Sequence, residues 1–104
     1  MAVDESLGMD GIRIERLRQV TMEGYTAEHD DQHVGGELAR MAAAYALHDV
    51  PPLEHHTADQ MMLMVANIRP SDWRFNPQMT IYNLERAGAL IAAEIDRLHR
   101  KEEK

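Results

Sequence analysis

Apolar residues recur at intervals of three and four in four stretches of this chain, which is the spacing of one face of an α-helix. The last stretch is the most regular, because it forms a heptad seam over Ile81, Leu84, Gly88, Ile91, Ile95 and Leu98. We expect this seam to pack along the second helix of the domain or along its own copy in a dimer. The pattern predicts an all-α fold, a compact bundle of three to four helices with a long C-terminal helix.

The first two helices differ in how clearly their ends are marked. The first is predicted from Ile12 to about Gly24, with Ile14, Leu17 and Thr21 on its inner side. Its charged residues are expected to face solvent, namely Arg13, Glu15, Arg16, Arg18 and Glu23. The second carries an apolar stripe from Val34 to Tyr45, and its start stays open between Thr26, Asp31 and the glycine pair 35–36.

The third helix is methionine-rich and is expected to begin with a capping box formed by Thr57 and Gln60. It ends before Pro70 and is apolar on nearly all sides, which predicts burial between helices or a contact between chains. The last helix is predicted to begin at Asn76-Pro77, because proline is favoured at the first helical position. The second and last helices are expected to form the main antiparallel pair, with the methionine-rich segment across both.

Length and composition indicate one small domain. The chain has 104 residues and a mass of 11.9 kDa, so we expect a flexible acidic segment at 1–10 and a single helical domain at 11–104. It has no cysteine, which excludes disulfides and thiolate zinc sites. We see no apolar run of membrane-spanning length and no signal peptide at the N-terminus, so we expect a cytoplasmic protein without a membrane partner.

The net charge is −7, and it is unevenly distributed. Residues 1–60 contain twelve acidic and four basic residues, whereas residues 61–104 contain six and seven. Phosphate backbones are bound by basic surfaces, so we expect no direct binding of nucleic acid. A negative field of this kind suits a cation or a basic protein surface, and it also serves solubility.

The densest polar cluster runs from Glu28 to His33 and is followed by Glu37. On a continuous helix, His29, His33 and Glu37 would form one ridge able to hold a zinc-type metal. Alternatively, Asp30 and Asp31 cap a helix and the histidines lie at the surface. Magnesium would need carboxylates, which are offered by Glu28, Asp31, Glu37 and Glu94 if the helices meet. Glu94 would otherwise pair with Arg13, Arg40 or Arg97, and no cofactor is favoured.

Two aromatic residues, Trp73 and Phe75, lie in a predicted loop, where they either cover the helices or offer a stacking face. The chain has no glycine-rich phosphate loop and no nucleophile in a recognisable setting. We therefore favour binding over catalysis. The candidate binding residues are Glu28, His29, Asp30, Asp31, His33, Glu37, Trp73 and Glu94.

About two thirds of the chain resembles a family of small helical proteins encoded by phages and prophages, to which no function is assigned. The resemblance rests on Arg18-Gln19, Glu23-Gly24-Tyr25-Thr26-Ala27-Glu28-His29-Asp30-Asp31-Gln32-His33, Gly36-Glu37-Leu38-Ala39-Arg40, Ala43, Tyr45-Ala46-Leu47, Trp73 and Ala87-Gly88-Ala89-Leu90-Ile91-Ala92-Ala93-Glu94-Ile95-Asp96-Arg97-Leu98. It implies an accessory protein in the cytoplasm of an infected bacterium. We expect such a protein, as a homodimer, to occlude a host protein, a defence protein being one candidate, or to sequester a nucleotide-like ligand.

A fainter resemblance is to the all-α nucleotide pyrophosphohydrolases, which hold Mg²⁺ with Glu-x-x-Glu and Glu-x-x-Asp pairs on neighbouring helices. Glu28-x-x-Asp31 is similar to one such pair. The second pair is incomplete, because Arg97 occupies the position of the acid that should follow Glu94. Magnesium-dependent hydrolysis of a nucleotide is therefore the alternative function.

Overall fold

Residues 6–103, which a computed structural model describes, form five helices joined by turns and loops. Helix accounts for 67% of the chain, and the described residues contain no strand. The prediction of a compact all-α fold with a long C-terminal helix is confirmed. The helices are α1 (Leu7–Met22), α2 (Ala27–Asp31), α3 (Glu37–Leu47), α4 (Ala58–Ile68) and α5 (Thr80–Glu102).

Side-chain caps explain where α1 and α4 begin. The Ser6 hydroxyl accepts a hydrogen bond from the backbone N–H of Met9 at 3.3 Å, so α1 begins at Leu7, five residues before the predicted Ile12. Part of the segment expected to be flexible is thus helical, and its residues 1–5 lie outside the described range. The predicted capping box of Thr57 and Gln60 is present, and α4 follows it.

The acidic-histidine region contains two helices where one was expected. Thr26 caps α2 by accepting a hydrogen bond from the N–H of His29, whereas α3 starts separately after Gly36. Gly36 has a φ of 84°, a left-handed conformation that glycine adopts without steric cost. The sequence left three possible starts for one helix, and the structure uses two of them, Thr26 for α2 and the glycine pair for α3. His33 lies in the turn between these two helices.

Helix α5 begins three residues after the predicted Asn76-Pro77. The side chain of Asn83 holds the preceding segment out of the helix: its Oδ1 accepts from the N–H of Gln78 at 2.7 Å, and its Nδ2 donates to the carbonyl of Gln78 at 3.0 Å. This loop-to-helix bridge makes Met79 the cap and Thr80 the first helical residue. The predicted start, with Asn76 as cap and Pro77 as first helical residue, was wrong because Asn83 holds Gln78 outside the helix.

Helix α5 is the central rod, and α1 and α3 pack along it in antiparallel orientation. The end of α3 meets the start of α5, where Asp49 contacts Thr80, and Arg18 of α1 lies over the ring of Tyr82. Helix α4 packs on α3, and the short α2 lies against α5. The core lies between α3 and α5 and is formed by Leu38, Met41, Ala42, Tyr45, Ala87, Leu90 and Ala93. None of the described helices combines the length and apolar character of a membrane span.

The inner face predicted for α1 is wrong. Ile14 and Leu17 are 69% and 64% exposed, whereas Glu15 and Gln19 are buried against α5. The physical reason is Arg86, a buried cation of α5 that requires a carboxylate partner, which Glu15 helps to provide. Helix α1 turns its polar side toward α5 because the buried guanidinium of Arg86 needs a carboxylate partner, which an apolar side chain cannot provide.

The seam of α5 does not pack along the second helix. Its large side chains are 43–73% exposed, and α3 instead contacts the face that includes Ala87, Leu90 and Ala93. Alanines at these positions let the two helices approach closely, which larger seam residues would prevent. Helix α4 is likewise half-covered, since Met61 and Val65 are buried and Met62 and Leu63 face solvent.

A pH-dependent contact links α3 to α5. The pKa of Asp49 lies below its usual 3.8, chiefly because the Thr80 hydroxyl donates to its carboxylate; burial opposes this, and His48 and Asn83 add further hydrogen bonds. A carboxyl group with a depressed folded-state pKa stabilises the protein above its unfolded-state pKa, and this contribution is lost as pH falls through the folded value.

We expect Asp49→Asn to lower the melting temperature at neutral pH. Below about pH 4, the melting temperature of this variant should decrease less with falling pH than that of the wild type. Thermal unfolding at a series of pH values measures this. Asp72→Asn, in an exposed loop, is the matched control and should leave the wild-type pH profile unchanged. A profile of the Asp49 variant that parallels wild type would contradict the assignment.

Candidate functional site

The acidic-histidine segment and the Trp73 loop meet in a cluster of four rings. The rings of Tyr25 and His29 stack with centroids 4.5 Å apart and planes 5° from parallel. His33 lies 4.6 Å from His29, and Trp73 meets His33 edge-on at 4.6 Å. We call these four residues the ring cluster; it brings together three of the predicted site residues although no continuous helix connects them.

The buried carboxylate of Asp30 holds the ring cluster in position. It is fully buried, and its Oδ2 accepts from Nη2 of Arg16 at 2.8 Å. Its Oδ1 lies 2.8 Å from Nδ1 of His29, which orients the imidazole against Tyr25. Arg16 also donates a hydrogen bond to the carbonyl of Tyr25. This one arginine therefore links α1 to Asp30 and to Tyr25 of the ring cluster.

Glu37 adjoins the cluster through a contact of 3.2 Å between its Oε2 and Nδ1 of His33. Burial acts to raise the pKa of Glu37, but nearby backbone N–H groups and the hydrogen bond with His33 outweigh it, so the pKa lies below its usual 4.5. Glu37 is therefore held as a carboxylate at neutral pH.

Two further acidic candidates, Asp31 and Glu94, bind arginines of α5. Arg100 donates two hydrogen bonds to Oδ1 of Asp31, at 2.8 and 3.1 Å, and Arg97 donates to Glu94 at 2.6 and 3.2 Å. Each carboxylate raises the pKa of its arginine, mainly through these hydrogen bonds. Glu28 is exposed in the first turn of α2. Asp31 thus joins α2 to α5, whereas Glu94 pairs within α5, and neither belongs to the ring cluster.

Within the described range 6–103, no group of three or more His, Asp or Glu side chains is arranged to hold a metal. The zinc-type ridge is not formed, because α2 ends at Asp31, His33 lies in the turn that follows and Glu37 begins α3, so the three residues do not share one helix. The four magnesium candidates are not assembled either, since Asp31 and Glu94 are bound to arginines. The acidic residues here serve as partners of cations from the same chain.

Beside the ring cluster lies a cleft of about 460 Å³ between α1, α3, α5 and the loop before α5. This volume is within the range typical of small-molecule sites. Tyr25 and Trp73 belong to both the ring cluster and the cleft. The cleft is lined by Arg18, Gln19, Met22, Glu23, Tyr25, Met41, Tyr45, Trp73, Arg74, Asn76, Gln78, Tyr82, Arg86 and Leu90.

Arg86 is the hub of the cleft. Its Nη2 donates to Glu23 in a short charge-assisted hydrogen bond, and its Nη1 donates to the hydroxyl of Tyr45 at 3.2 Å. Arg18 binds Glu15 with two hydrogen bonds, at 2.6 and 2.8 Å, which raises its pKa further. These two arginines and two glutamates form a network across the α1–α5 contact.

Aromatic rings surround the guanidinium groups. Arg86 lies 5.0 Å from the ring centroid of Tyr45 and 5.5 Å from that of Tyr82, and Arg18 lies 5.7 Å from Tyr82. Burial raises the pKa of both Tyr25 and Tyr82, so their hydroxyls remain protonated donors at neutral pH. The cleft thus presents cations, hydroxyl donors and flat apolar faces together.

Gln19 is completely buried in the wall of the cleft. Its Nε2 donates to Glu15 and to the carbonyl of Arg86, at 3.2 and 3.4 Å, which fixes the orientation of the amide. Its Oε1 has no hydrogen-bond partner among the described residues. An unpartnered buried acceptor of this kind costs free energy.

A second concavity, of about 590 Å³, lies between α3 and α4 and is mainly apolar, with residues such as Val50, Met61 and Phe75 in its wall. It is larger than the first but has few polar groups to orient a ligand. Specific recognition of small molecules depends on convergent polar groups, so the cleft at Arg86 is the stronger candidate.

Sequence reasoning named three members of the ring cluster, His29, His33 and Trp73, but did not name Tyr25 as a candidate and missed the arginines and tyrosines of the cleft. Arg18 was predicted to face solvent, and no role was predicted for Arg86. The two arginines are 68 residues apart, so nothing in the local sequence indicates that they line the same cleft. The one available signal was Arg86 itself, a cation directly before the apolar stretch 87–93 of the regular helix. Comparison with protein-family models, curated proteins and solved structures finds no match to this chain.

Proposed function

We propose that this protein binds a small, nucleotide-like ligand, an anion that carries a planar ring, in the cleft at Arg86. The observation that supports this is the convergence of three arginines and four aromatic residues, from four separate segments of the chain, on one cleft of about 460 Å³. Guanidinium groups suit phosphate geometry, and aromatic side chains stack on bases.

Arg74 is the cation best placed to meet the anionic part of such a ligand. It lies at the exposed edge of the cleft and makes no hydrogen bond or ion pair with residues 6–103, whereas Arg18 and Arg86 are already bound to glutamates. Trp73, next to it, offers a ring face on the same loop.

The phage and prophage resemblance supplies a setting for this binding. In that setting the protein is a cytoplasmic accessory factor that withholds a nucleotide-like ligand from the infected bacterium. Occlusion of a host protein remains the second prediction from that resemblance, and magnesium-dependent nucleotide hydrolysis remains the alternative function. Sequestration requires binding without turnover, which agrees with the paired state of Asp31, Glu37 and Glu94.

Titration with nucleotides tests the proposal, and Trp73 provides the signal because it is the only tryptophan. We expect nucleoside monophosphates, or larger nucleotides, to change its fluorescence, and the matching nucleoside or ribose phosphate alone to bind more weakly. Arg74→Ala should weaken binding about tenfold, the equivalent of one charge-assisted hydrogen bond, without changing the melting temperature.

Arg13→Ala is the matched control, because Arg13 is an exposed arginine of α1 whose one ion pair within residues 6–103 is with Asp10, away from the cleft. It should bind nucleotides as wild type does. If no nucleotide changes the fluorescence or binds by calorimetry at millimolar concentration, the proposal is wrong. Equal losses in both variants would mean non-specific attraction of anions.

A further inference from the structure

The seam of α5 forms an uncovered apolar strip along the outside of the molecule. Its five large residues are exposed although they recur with the regularity of a coiled-coil interface. A single exposed apolar residue is ordinary, but an aligned strip of this kind marks a contact surface. The strip consists of Ile81, Leu84, Ile91, Ile95 and Leu98.

Ile12 of α1 completes the strip at its one gap. Gly88 has no side chain, and a Cβ built there would lie 2.5 Å from Cδ1 of Ile12. The isoleucine therefore occupies the space above the glycine and supplies the missing apolar group. The surface is continuous from one end of the seam to the other, and it is independent of the ligand cleft, which opens on the side of Tyr82 and Arg86.

We propose that a second copy of this chain covers the strip, with the two α5 helices antiparallel. The seam is self-complementary in that arrangement. A twofold axis between Ala89 and Leu90 places Ile81 against Leu98, Leu84 against Ile95, and Gly88, with its covering Ile12, against Ile91. Every large residue then meets an apolar partner, and the glycine faces a large side chain.

Charge favours a second copy at this surface. Helix α5 contains four acidic and four basic residues, so the entire net charge of −7 lies outside it. Two molecules that meet through α5 therefore bring together their neutral faces and keep their acidic parts apart. The residues that flank the seam also avoid like-charge neighbours. The twofold axis keeps each flanking row on its own side of the interface, so Glu85 lies beside Ala92 of the second copy and Glu94 lies beside Ala87.

Light scattering after size exclusion tests the dimer. We expect twice the chain mass of 11.9 kDa for wild type and the single-chain mass for Ile95→Glu, with unchanged helix content by circular dichroism because the site is exposed. Leu63→Glu, at an exposed apolar position on α4, is the control and should remain dimeric. A monomeric wild type overturns the proposal, as does a dimer that Leu63→Glu dissociates and Ile95→Glu does not.

Disulfide trapping tests the orientation, since the chain has no cysteine of its own. In the antiparallel register, Leu84→Cys and Ile95→Cys proteins should form a mixed disulfide when combined and oxidised, and neither should crosslink to itself. Self-crosslinking of each variant alone would instead indicate parallel helices and overturn this arrangement.

Discussion

Replacing Asp30 with alanine is expected to reduce the free energy of unfolding by about 3 kcal/mol. The carboxylate is fully buried and is the hydrogen-bond partner of both Arg16 and His29. Without it, the guanidinium of Arg16, which is only 19% exposed, loses its buried partner and cannot be fully rehydrated. Denaturant unfolding followed by circular dichroism measures the loss.

The same substitution should loosen the ring cluster, because His29 loses the group that orients it. We expect a shift in Trp73 fluorescence in the folded variant, and a loss of about 2 kcal/mol for Asp30→Asn, which keeps the shape but not the charge. Asp10→Ala is the control, since Asp10 pairs with the exposed Arg13 and should cost under about 0.5 kcal/mol. A loss at Asp30 as small as at Asp10 would contradict this view.

Arg86→Ala is expected to cost about 3 kcal/mol of stability and to abolish ligand binding. The side chain links Glu23, the hydroxyl of Tyr45 and the carbonyl of Asn76, and it lies against two tyrosine rings. Its removal leaves the Glu23 carboxylate with Arg18 as its remaining partner and opens a space between α1, α3 and α5. Chemical unfolding and nucleotide titration measure the two effects separately.

Arg86→Lys distinguishes charge from geometry. Lysine keeps the positive charge but lacks the planar fork that reaches three acceptors at once. We expect it to restore less than half of the lost stability. Full restoration would show that charge alone matters, and a cost below about 1 kcal/mol for Arg86→Ala would remove Arg86 as the hub of the network.

The ring cluster shows how far local sequence can predict a site. The spacing of His29, His33 and Glu37 indicated neighbouring side chains, and they are neighbours in the structure. The reason differs from the prediction, because Gly36 divides the region and His33 is positioned by a turn. The metal-binding ridge inferred from helical spacing therefore does not form, whereas the aromatic contacts with Trp73 could not be inferred from spacing at all.

Long-range ion pairs account for most of what sequence reasoning misjudged. The inner side of α1 was chosen by hydrophobicity, yet Glu15 and Gln19 face α5 because Arg86 lies there. The same applies to Asp31, whose partner Arg100 is 69 residues away. A hydrophobicity pattern describes each helix by itself. It gives no information about a charged residue on a neighbouring helix.

The sequence by itself determined the helical class, the cap at Thr57, the long C-terminal helix and its apolar seam, because these depend on contacts within a few residues. Only the tertiary structure decided which faces of α1 and α5 are buried, that Arg18, Tyr45, Tyr82 and Arg86 share a cleft, and that the seam is uncovered. Those features arise from packing and charge pairing between distant segments, whose free energies depend on distance in space rather than on separation along the chain.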